Sequence, residues 1–148
     1  MVKVHTDLCK KCHIHGGFWK AWNDVEKVSF KSVEVVMMQN LDYWFAITGY
    51  SLGGAIAILA AADFRRWKPY YAENTELFTF GSPRIDNMKA AEFLTLQSTK
   101  SYRVTAIADP VSRLPWHKLG YFYMSPEYWI HDNPQHPSAS GIKWVTGY

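Results

Sequence analysis

The sequence has little of three features that would assign a protein to a class at once: long hydrophobic runs, cysteine and an excess of one charge. The longest run of small and apolar residues, 52–62, is too short to span a bilayer, which argues against a transmembrane helix. The net charge of +3 comes from scattered lysines and arginines, so no nucleic-acid-binding patch is expected. Residues 1–7 lack the apolar stretch of a signal peptide.

Only two cysteines are present, Cys9 and Cys12, in a C-x-x-C spacing. Residues this close can form a disulfide where the backbone turns. A thioredoxin-like redox pair has the same spacing, but it follows a strand and opens a helix. Here the pair lies in a polar stretch with Lys10 and Lys11 between the cysteines. A structural disulfide is therefore favoured, with a redox pair and two free thiols as the alternatives.

What the chain does have is the composition of a globular domain. Hydrophobic residues make up 48% of the sequence and charged residues 20%, which is typical of folded rather than disordered proteins. A chain of this length buries about two-thirds of its unfolded surface, enough for a core. No repeat or linker divides it, so a single domain over residues 1–148 is expected.

Alternating patterns along the chain predict an α/β fold. The predicted elements are strands over 43–48, 77–80 and 102–107, and helices over 18–38, 52–67 and 86–97. Strand and helix in alternation are typical of a parallel sheet covered by helices. After Asp109 five prolines interrupt the pattern, and the remaining chain is predicted to be irregular.

Ser51 lies between a predicted strand and a predicted helix, in the run GYSLGG of residues 49–54. Reactive groups belong at the carboxyl ends of parallel strands, and this spacing is typical of a nucleophile elbow. The turn is so sharp that Cβ atoms two residues before and after the serine are expected to collide, which explains Gly49 and Gly53. The backbone N–H of Leu52 is then predicted to donate to an oxyanion.

The motif alone is weak, because G-x-S-x-G arises by chance in about one chain in twenty of this length. A structural Gly-Ser turn is therefore the alternative. The strand before Ser51 and the helix after it are the context that a nucleophile elbow requires. Ser51 is accordingly predicted to be a catalytic nucleophile.

A catalytic triad on this kind of sheet has the chain order serine, acid, histidine. Asp109 follows the strand predicted over 102–107 by two residues, so it should emerge at the same sheet edge as Ser51. One alternative is that Asp109 only forms a turn before Pro110. Another is Asp132 as the acid, but it follows no strand that the sequence reveals.

Several segments, in order along the chain, resemble the class 3 family of fungal triacylglycerol lipases and their feruloyl esterase relatives. They are HGGF at 15–18, TGYSLGGA at 48–55, FGSPR at 80–84, DPVSRLP at 109–115, GY at 120–121 and EYWI at 127–130. Together they extend over nearly the whole chain. The resemblance implies an α/β-hydrolase fold with a mostly parallel sheet flanked by helices, and it implies no cofactor and no metal.

The resemblance also implies roles for individual residues. Ser51 corresponds to the nucleophile, Asp109 to the triad acid, and the Leu52 N–H to one oxyanion donor. His15 resembles a structural histidine rather than the general base. Tyr50 stands where the family more often has histidine, which leaves the acyl preference open.

The cysteines and the location of the protein follow the same comparison. Cys9 and Cys12 lie where some secreted members of the family have a close-spaced disulfide. The resemblance therefore implies an extracellular location for a full-length member.

The general base is the residue that the sequence does not supply. In the family it comes several tens of residues after the aspartate, and His117, His131 and His136 do not match that position. The family's N-terminal portion, with its lid and second oxyanion residue, has no counterpart in these residues either. We therefore expect a central piece of a lipase, with unpaired strand edges and little activity on its own.

The function predicted from the sequence is carboxylic ester hydrolysis through an acyl-enzyme. Triacylglycerol or a related lipid ester, met at a lipid–water interface, is the expected substrate. A feruloyl-type esterase is a close alternative. Two alternatives belong to other functional classes. One is a non-catalytic remnant that binds lipid or a partner, and the other is a thiol redox module.

Overall fold

One mixed sheet with its helices organises the chain. The computed structural model describes residues 2–97, 100–132 and 141–147. Its strands are β1 (Lys3–His5), β2 (His13–His15), β3 (Phe45–Tyr50), β4 (Thr75–Phe80), β5 (Ser101–Ala106), β6 (Glu127–Ile130) and β7 (Ile142–Val145). Its α-helices are α1 (Gly16–Gln39), α2 (Leu52–Trp67), α3 (Pro69–Asn74) and α4 (Met88–Gln97).

The main sheet has the strand order β3-β4-β5-β6-β7. The first four strands run parallel to their neighbours, and β7 is antiparallel to β6. The connections from β3 to β4 and from β4 to β5 each pass through a helix, as parallel neighbours require. The predicted α/β class and mostly parallel sheet are confirmed.

Helix α2 packs directly on this sheet. Alternate residues of β4 point toward it, and Thr75, Leu77 and Thr79 are buried. The helix is rich in alanine, so its axis can lie close to the strands at native packing density. At its C-terminal end Arg65 donates hydrogen bonds to Ser101 Oγ (2.9 Å) and to the Thr75 carbonyl (3.1 Å). Burial lowers the pKa of Arg65 to about 10, and the guanidinium remains charged.

Helix α1 packs on α2 through one buried polar contact and an aromatic cluster. Trp22 Nε1 donates a 2.6 Å hydrogen bond to Asp63 Oδ2. Burial raises the pKa of Asp63, and the Trp22 hydrogen bond opposes that shift. Phe30 lies between Phe64 and Trp67, with ring centroids 4.5 and 4.6 Å away.

Within the described ranges, no helix is apolar and long enough to cross a membrane.

The other face of the sheet is more open. On β3 the side chains of Ala46, Thr48 and Tyr50 are exposed, whereas those of Phe45 and Ile47 pack toward the core. Strand β3 is also the outer strand of the sheet as far as the described residues extend. The expectation of an unpaired strand edge is confirmed.

The two cysteines form a disulfide in the turn of a β1–β2 hairpin. Thr6 N donates to the Cys12 carbonyl, and Cys12 N to the Cys9 carbonyl, both at 3.1 Å. Cys12 is fully buried. The predicted structural disulfide is confirmed, and the hairpin context lacks the strand-to-helix junction that a redox pair would occupy.

The prediction that the chain is irregular after Asp109 is wrong, because β6 and β7 extend the sheet there. Each has only four residues, and every residue of β6 is half-buried, so neither shows a periodic pattern. The helix predicted from residue 86 begins instead at Met88. Asn87 Oδ1 accepts a hydrogen bond from Ala90 N at 3.1 Å, which is the geometry of a helix cap.

Asp86 occupies a buried position between the hairpin and the later chain. Its backbone bridges Ile14 and Phe122, and Phe122 N donates to its carbonyl at 2.9 Å. No side chain of a described residue donates a hydrogen bond to either carboxyl oxygen. Burial raises the pKa of Asp86 well above its ordinary value, and the charges of Arg103 and Lys3 offset this only in part.

We expect Asp86 to make the protein less stable as the pH rises. The folded chain holds the carboxyl proton more tightly than the unfolded chain, so the free energy of unfolding should fall from about pH 4 upward, towards the raised pKa. Asp86→Asn should flatten this part of the profile. Urea unfolding of both proteins across this pH range measures the effect, and parallel profiles would contradict it.

The open edge of β3 should cause self-association of the isolated chain. A row of unpaired backbone groups is a template for strand pairing, and a lysine on the strand opposes it. Ala46→Lys is therefore expected to lower the apparent mass in light scattering. Ser32→Lys adds the same charge at an exposed position of α1 and is the matched control. Equal effects of the two variants would refute edge pairing.

Candidate active site

Ser51 has a strained backbone conformation at the junction of β3 and α2. Its φ is 53° and its ψ is −123°, outside the regions that a serine ordinarily adopts. Ser51 N donates to the Phe80 carbonyl at 2.9 Å, which fixes the turn against the end of β4. The predicted strand–turn–helix context of Ser51 is confirmed.

The hydroxyl of Ser51 is not used to cap α2. A serine preceding a helix usually accepts a hydrogen bond from an N–H of the first turn, but Ser51 makes no such bond. The side chain instead lies at the wall of a cleft of about 240 Å³. A serine that bears backbone strain without serving as a cap is the arrangement of a nucleophile elbow.

The two glycines that flank Ser51 have different surroundings. A Cβ on Gly49 would lie 2.5 Å from the Gly53 carbonyl carbon and 2.7 Å from Gly54 N, so only glycine fits there. A Cβ on Gly53 would meet nothing within 4 Å. The expected collision at Gly53 is therefore wrong, because the helix turns that position toward solvent. Gly54 has the second tight contact, where a Cβ would lie 2.8 Å from Ser82 Cβ.

Leu52 is the first residue of α2. The first N–H groups of a helix have no acceptor within the helix, and they lie at its positive dipole end. This position suits the predicted oxyanion donor, since the N–H follows Ser51 directly. The Leu52 side chain is 55% exposed and also lines the cleft.

Asp109 is fixed by the turn that follows β5. Its N–H donates to the Ala106 carbonyl at 3.1 Å. Its Oδ1 accepts a hydrogen bond from Val111 N at 2.9 Å, and its carbonyl accepts one from Ser112 Oγ at 3.0 Å. The described residues place no hydrogen-bond donor on Oδ2.

Asp109 and Ser51 meet opposite sides of the same turn. A Cβ on Gly81 would lie 2.6 Å from Asp109 Oδ2 and 3.7 Å from the Tyr50 ring, and Gly81 has a φ of 57°. The residue before it, Phe80, accepts the hydrogen bond from Ser51 N. Ser51 follows β3 and Asp109 follows β5, and these strands lie on either side of β4. The two predicted catalytic residues therefore lie at the same edge of the sheet, one strand apart.

Asp132 also follows a strand, so the expectation that it follows none is wrong. Asp132 comes two residues after the end of β6, and Asp109 comes three residues after the end of β5. Its carboxylate, however, packs on Gly141. Strand β6 is also the third strand from β3, roughly 14 Å away at ordinary strand spacing, against about 10 Å for β5. Of the two candidate acids, Asp109 therefore follows the strand that lies nearer to β3.

The cleft beside Ser51 has mostly apolar walls. Phe18 comes from α1, Pro83 from the turn after β4, and Val111 and Leu114 from the segment after Asp109. The sequence pattern did not predict that these residues line a site. Their position inside the HGGF, FGSPR and DPVSRLP segments was the available signal. Such walls suit an acyl chain rather than a polar group.

His15 is the histidine that lines this cleft. Its ring contacts Phe18 with centroids 4.3 Å apart, and Nδ1 is buried with no hydrogen-bond partner among the described residues. Partial burial lowers the pKa of His15, so the ring is neutral at neutral pH. The lowered pKa makes the His15 ring a weaker base, and its contact with Phe18 places the ring in the wall of the cleft.

The remaining histidines do not complete a triad in the described part of the chain. His117 is exposed, and its ring packs on Phe122. His131 donates its backbone N–H to the Gly141 carbonyl. No hydrogen bond between described residues joins a histidine ring to a carboxylate. His136 lies outside the described residues.

These features define the class of protein. A mostly parallel sheet with a strained serine between strand and helix is an α/β-hydrolase fold. The family model for lipase (class 3) matches residues 1–119. The chain belongs to the class 3 lipase family, as the resemblance implied.

Individual relatives agree with this assignment. The secreted mono- and diacylglycerol lipase A of Penicillium cyclopium is 40% identical in an alignment of 147 positions that covers 97% of this chain and 47% of that protein. The secreted mono- and diacylglycerol lipase 1 of Fusarium solani is 42% identical, over 86% of this chain and 37% of that protein. The chain spans less than half the length of these relatives.

A solved structure shows the same arrangement. The crystal structure of a mono- and diacylglycerol lipase from Aspergillus oryzae superposes with a TM-score of 0.91 at 35% identity. The match includes 99% of this chain and 53% of that one. The fold described above is therefore the fold of about half of such a lipase.

The two flanking glycines give a matched test of the elbow. Gly49→Ala places a methyl group against the first turn of α2 and should destabilise the chain by about 2 kcal/mol or more. Gly53→Ala has open space and should be neutral or stabilising by up to about 1 kcal/mol. Urea unfolding measures both. Equal losses would show that the close contact at Gly49 does not matter.

Proposed function

We propose that this chain carries the nucleophile, the acid and one oxyanion donor of a carboxylic ester hydrolase. The observation that carries the proposal is the strained backbone of Ser51, with its hydroxyl free of a capping role and lining an apolar cleft. Asp109 is the acid, on the same sheet edge. The Leu52 N–H is the oxyanion donor.

The reaction that fits this geometry proceeds through an acyl-enzyme. Ser51 Oγ attacks the ester carbonyl as a general base removes its proton, and the carbonyl oxygen becomes an oxyanion next to the Leu52 N–H. The protonated base gives this proton to the alkoxide, which leaves as the alcohol. Water then attacks the acyl-enzyme by the same steps, which releases the carboxylic acid and restores the Ser51 hydroxyl. Asp109 would orient the base through Oδ2.

The base is the part that the described residues do not provide. The proposal requires it either from His136 or from the additional length that the relatives possess. Loss of the base from a triad costs on the order of 10⁶ in kcat. From a typical rate of about 10 s⁻¹, this leaves roughly one turnover per day.

For the substrate we propose acylglycerols, with partial glycerides first. Two relatives at 40% and 42% identity are named mono- and diacylglycerol lipases, and the cleft beside Ser51 is apolar. Triacylglycerol and feruloyl esters remain the alternatives that the resemblance implied. Because these relatives are named as secreted and Cys9 and Cys12 form a disulfide, we also propose an extracellular location.

A second candidate function is non-catalytic lipid binding. The lack of a histidine hydrogen-bonded to Asp109 in the described ranges favours it. It predicts an apolar ligand in the same cleft without turnover.

A fluorophosphonate probe tests the nucleophile. We expect slow labelling of the purified chain, with the adduct on Ser51 by mass spectrometry. Ser51→Ala should abolish labelling, because the probe requires the same attack as the ester. Ser32→Ala, at an exposed position on α1, should leave it unchanged. Labelling that is unaffected by Ser51→Ala would refute the proposed nucleophile, and non-catalytic lipid binding would then be the remaining candidate function.

Hydrolysis of p-nitrophenyl butyrate tests the base. Little turnover is expected from this chain alone. Fast turnover that is lost in both Ser51→Ala and His136→Ala would show that His136 is the base.

A further inference from the structure

The β1–β2 hairpin holds two histidines side by side. His5 lies directly opposite His13 in the antiparallel register. Thr6 N donates to the Cys12 carbonyl at 3.1 Å, so that pair is hydrogen-bonded and the next pair along the ladder is not. The His13 backbone instead bonds to Asn87, whose N–H donates to the His13 carbonyl at 3.0 Å. In a non-hydrogen-bonded pair the Cα atoms are about 4.5 Å apart and the side chains approach most closely.

The two imidazole rings are separated by the distance that a shared metal ion requires. Their centroids are 5.5 Å apart. Zinc binds an imidazole nitrogen at about 2.1 Å, which places the ion about 3.2 Å from the ring centroid. Two imidazoles on one tetrahedral ion therefore have centroids about 5.2 Å apart. The His5 side chain is exposed and that of His13 is half-buried, so an ion can reach both rings from solvent.

A hydrogen bond determines which nitrogen of His13 can bind a metal. Nδ1 lies 3.0 Å from the Lys11 carbonyl, which can only accept, so Nδ1 carries the proton. Asn87 Nδ2 lies 3.4 Å from Nδ1, but it donates at 3.0 Å to the same carbonyl. Nε2 therefore has the lone pair. A backbone carbonyl that accepts from the other ring nitrogen is the usual support of a metal-binding histidine.

We propose that His5 and His13 together bind one divalent transition-metal ion of the zinc and copper class. Imidazole is a preferred ligand of both ions. The described residues contain no cluster of three or more potential ligands from histidine, cysteine, aspartate and glutamate, so water supplies the remaining ligands. Cys9 and Cys12 form a disulfide and offer no thiolate. The site is separate from the proposed ester hydrolysis, for which the resemblance implied no metal.

An ion at this position joins β1 to β2 and so acts on the contacts that both strands make. Next to β1, the Val2 carbonyl accepts from Gly16 N at 2.8 Å, and from β1 Lys3 Nζ donates to the Leu119 carbonyl at 3.0 Å. Strand β2 ends in His15, which lines the Ser51 cleft. The two rings meet only when the strands pair, so the ion binds the folded chain more tightly than the unfolded chain and stabilises it.

Calorimetric titration tests the site, with Zn²⁺, Cu²⁺ and Mg²⁺ as the probes. The chain is used without a polyhistidine tag and with its disulfide intact. One Zn²⁺ should bind per chain, Cu²⁺ should bind more tightly, and Mg²⁺ should not bind, because it prefers oxygen ligands. His5→Ala should weaken Zn²⁺ binding about tenfold or more, since a single imidazole cannot chelate. His5 is exposed, so this variant should unfold in urea like the parent when no metal is present.

His117 offers the matched control. It is also exposed, and its ring packs on Phe122 rather than on another histidine. His117→Ala removes the same group and should leave Zn²⁺ binding unchanged. No binding of Zn²⁺ to the parent chain, or equal losses in His5→Ala and His117→Ala, would overturn the proposal.

Urea unfolding with Zn²⁺ tests whether the ion joins the two strands. Zn²⁺ should raise the midpoint for the parent and for His117→Ala, and it should have little effect on His5→Ala. An equal rise in His5→Ala would contradict the bridge between the strands. Zn²⁺ binding that appears only after reduction of Cys9 and Cys12 would assign the metal to thiolates and refute the histidine pair.

Discussion

The contact between Gly49 and the first turn of α2 is the constraint on which the rest of the structure depends. Because Gly49 has no side chain, α2 can begin directly against the end of β3, and Ser51 is driven to a positive φ. Gly54 then packs on Ser82, which brings α2 close to β4. The alanine-rich face of α2 and its buried Arg65 extend this contact to β5. One missing methyl group thus sets both the packing of the main helix and the conformation of the proposed nucleophile.

An element of the fold could be predicted from the sequence when neighbouring residues determine it, and it was missed when only its pairing with distant residues does. The bounds of α2 were predicted correctly because the turn at Gly49 precedes it and Pro69 follows it. Strands β6 and β7 were missed because four residues carry no period, and their pairing with β5 and with each other is what makes them strands. Helix α4 begins at Met88 and not at the predicted residue 86, because Asn87 supplies the cap.

The same distinction separates the parts of the candidate site that the sequence predicted from the parts that it did not. The conformation of Ser51 follows from its own neighbours in sequence, so the motif, together with the strand predicted before it and the helix predicted after it, was enough to predict the turn. The nearness of Asp109 followed from a general property, that parallel strands end at one edge. The apolar cleft did not follow from either, because its walls come from three segments that meet only in the folded chain. Gly53 shows the opposite error, since a glycine in the motif was given a steric role that the open space around it does not require.

Strand β3 ends in Ser51 and is also the outermost strand of the described sheet. A strand added along β3 would therefore run beside the nucleophile, with its backbone N–H groups at the same edge. A strand that extends the sheet at β3 would at the same time form a wall beside Ser51. In such an arrangement the proposed nucleophile lies where the added strand meets the sheet, so the same pairing would extend the sheet and build part of the site.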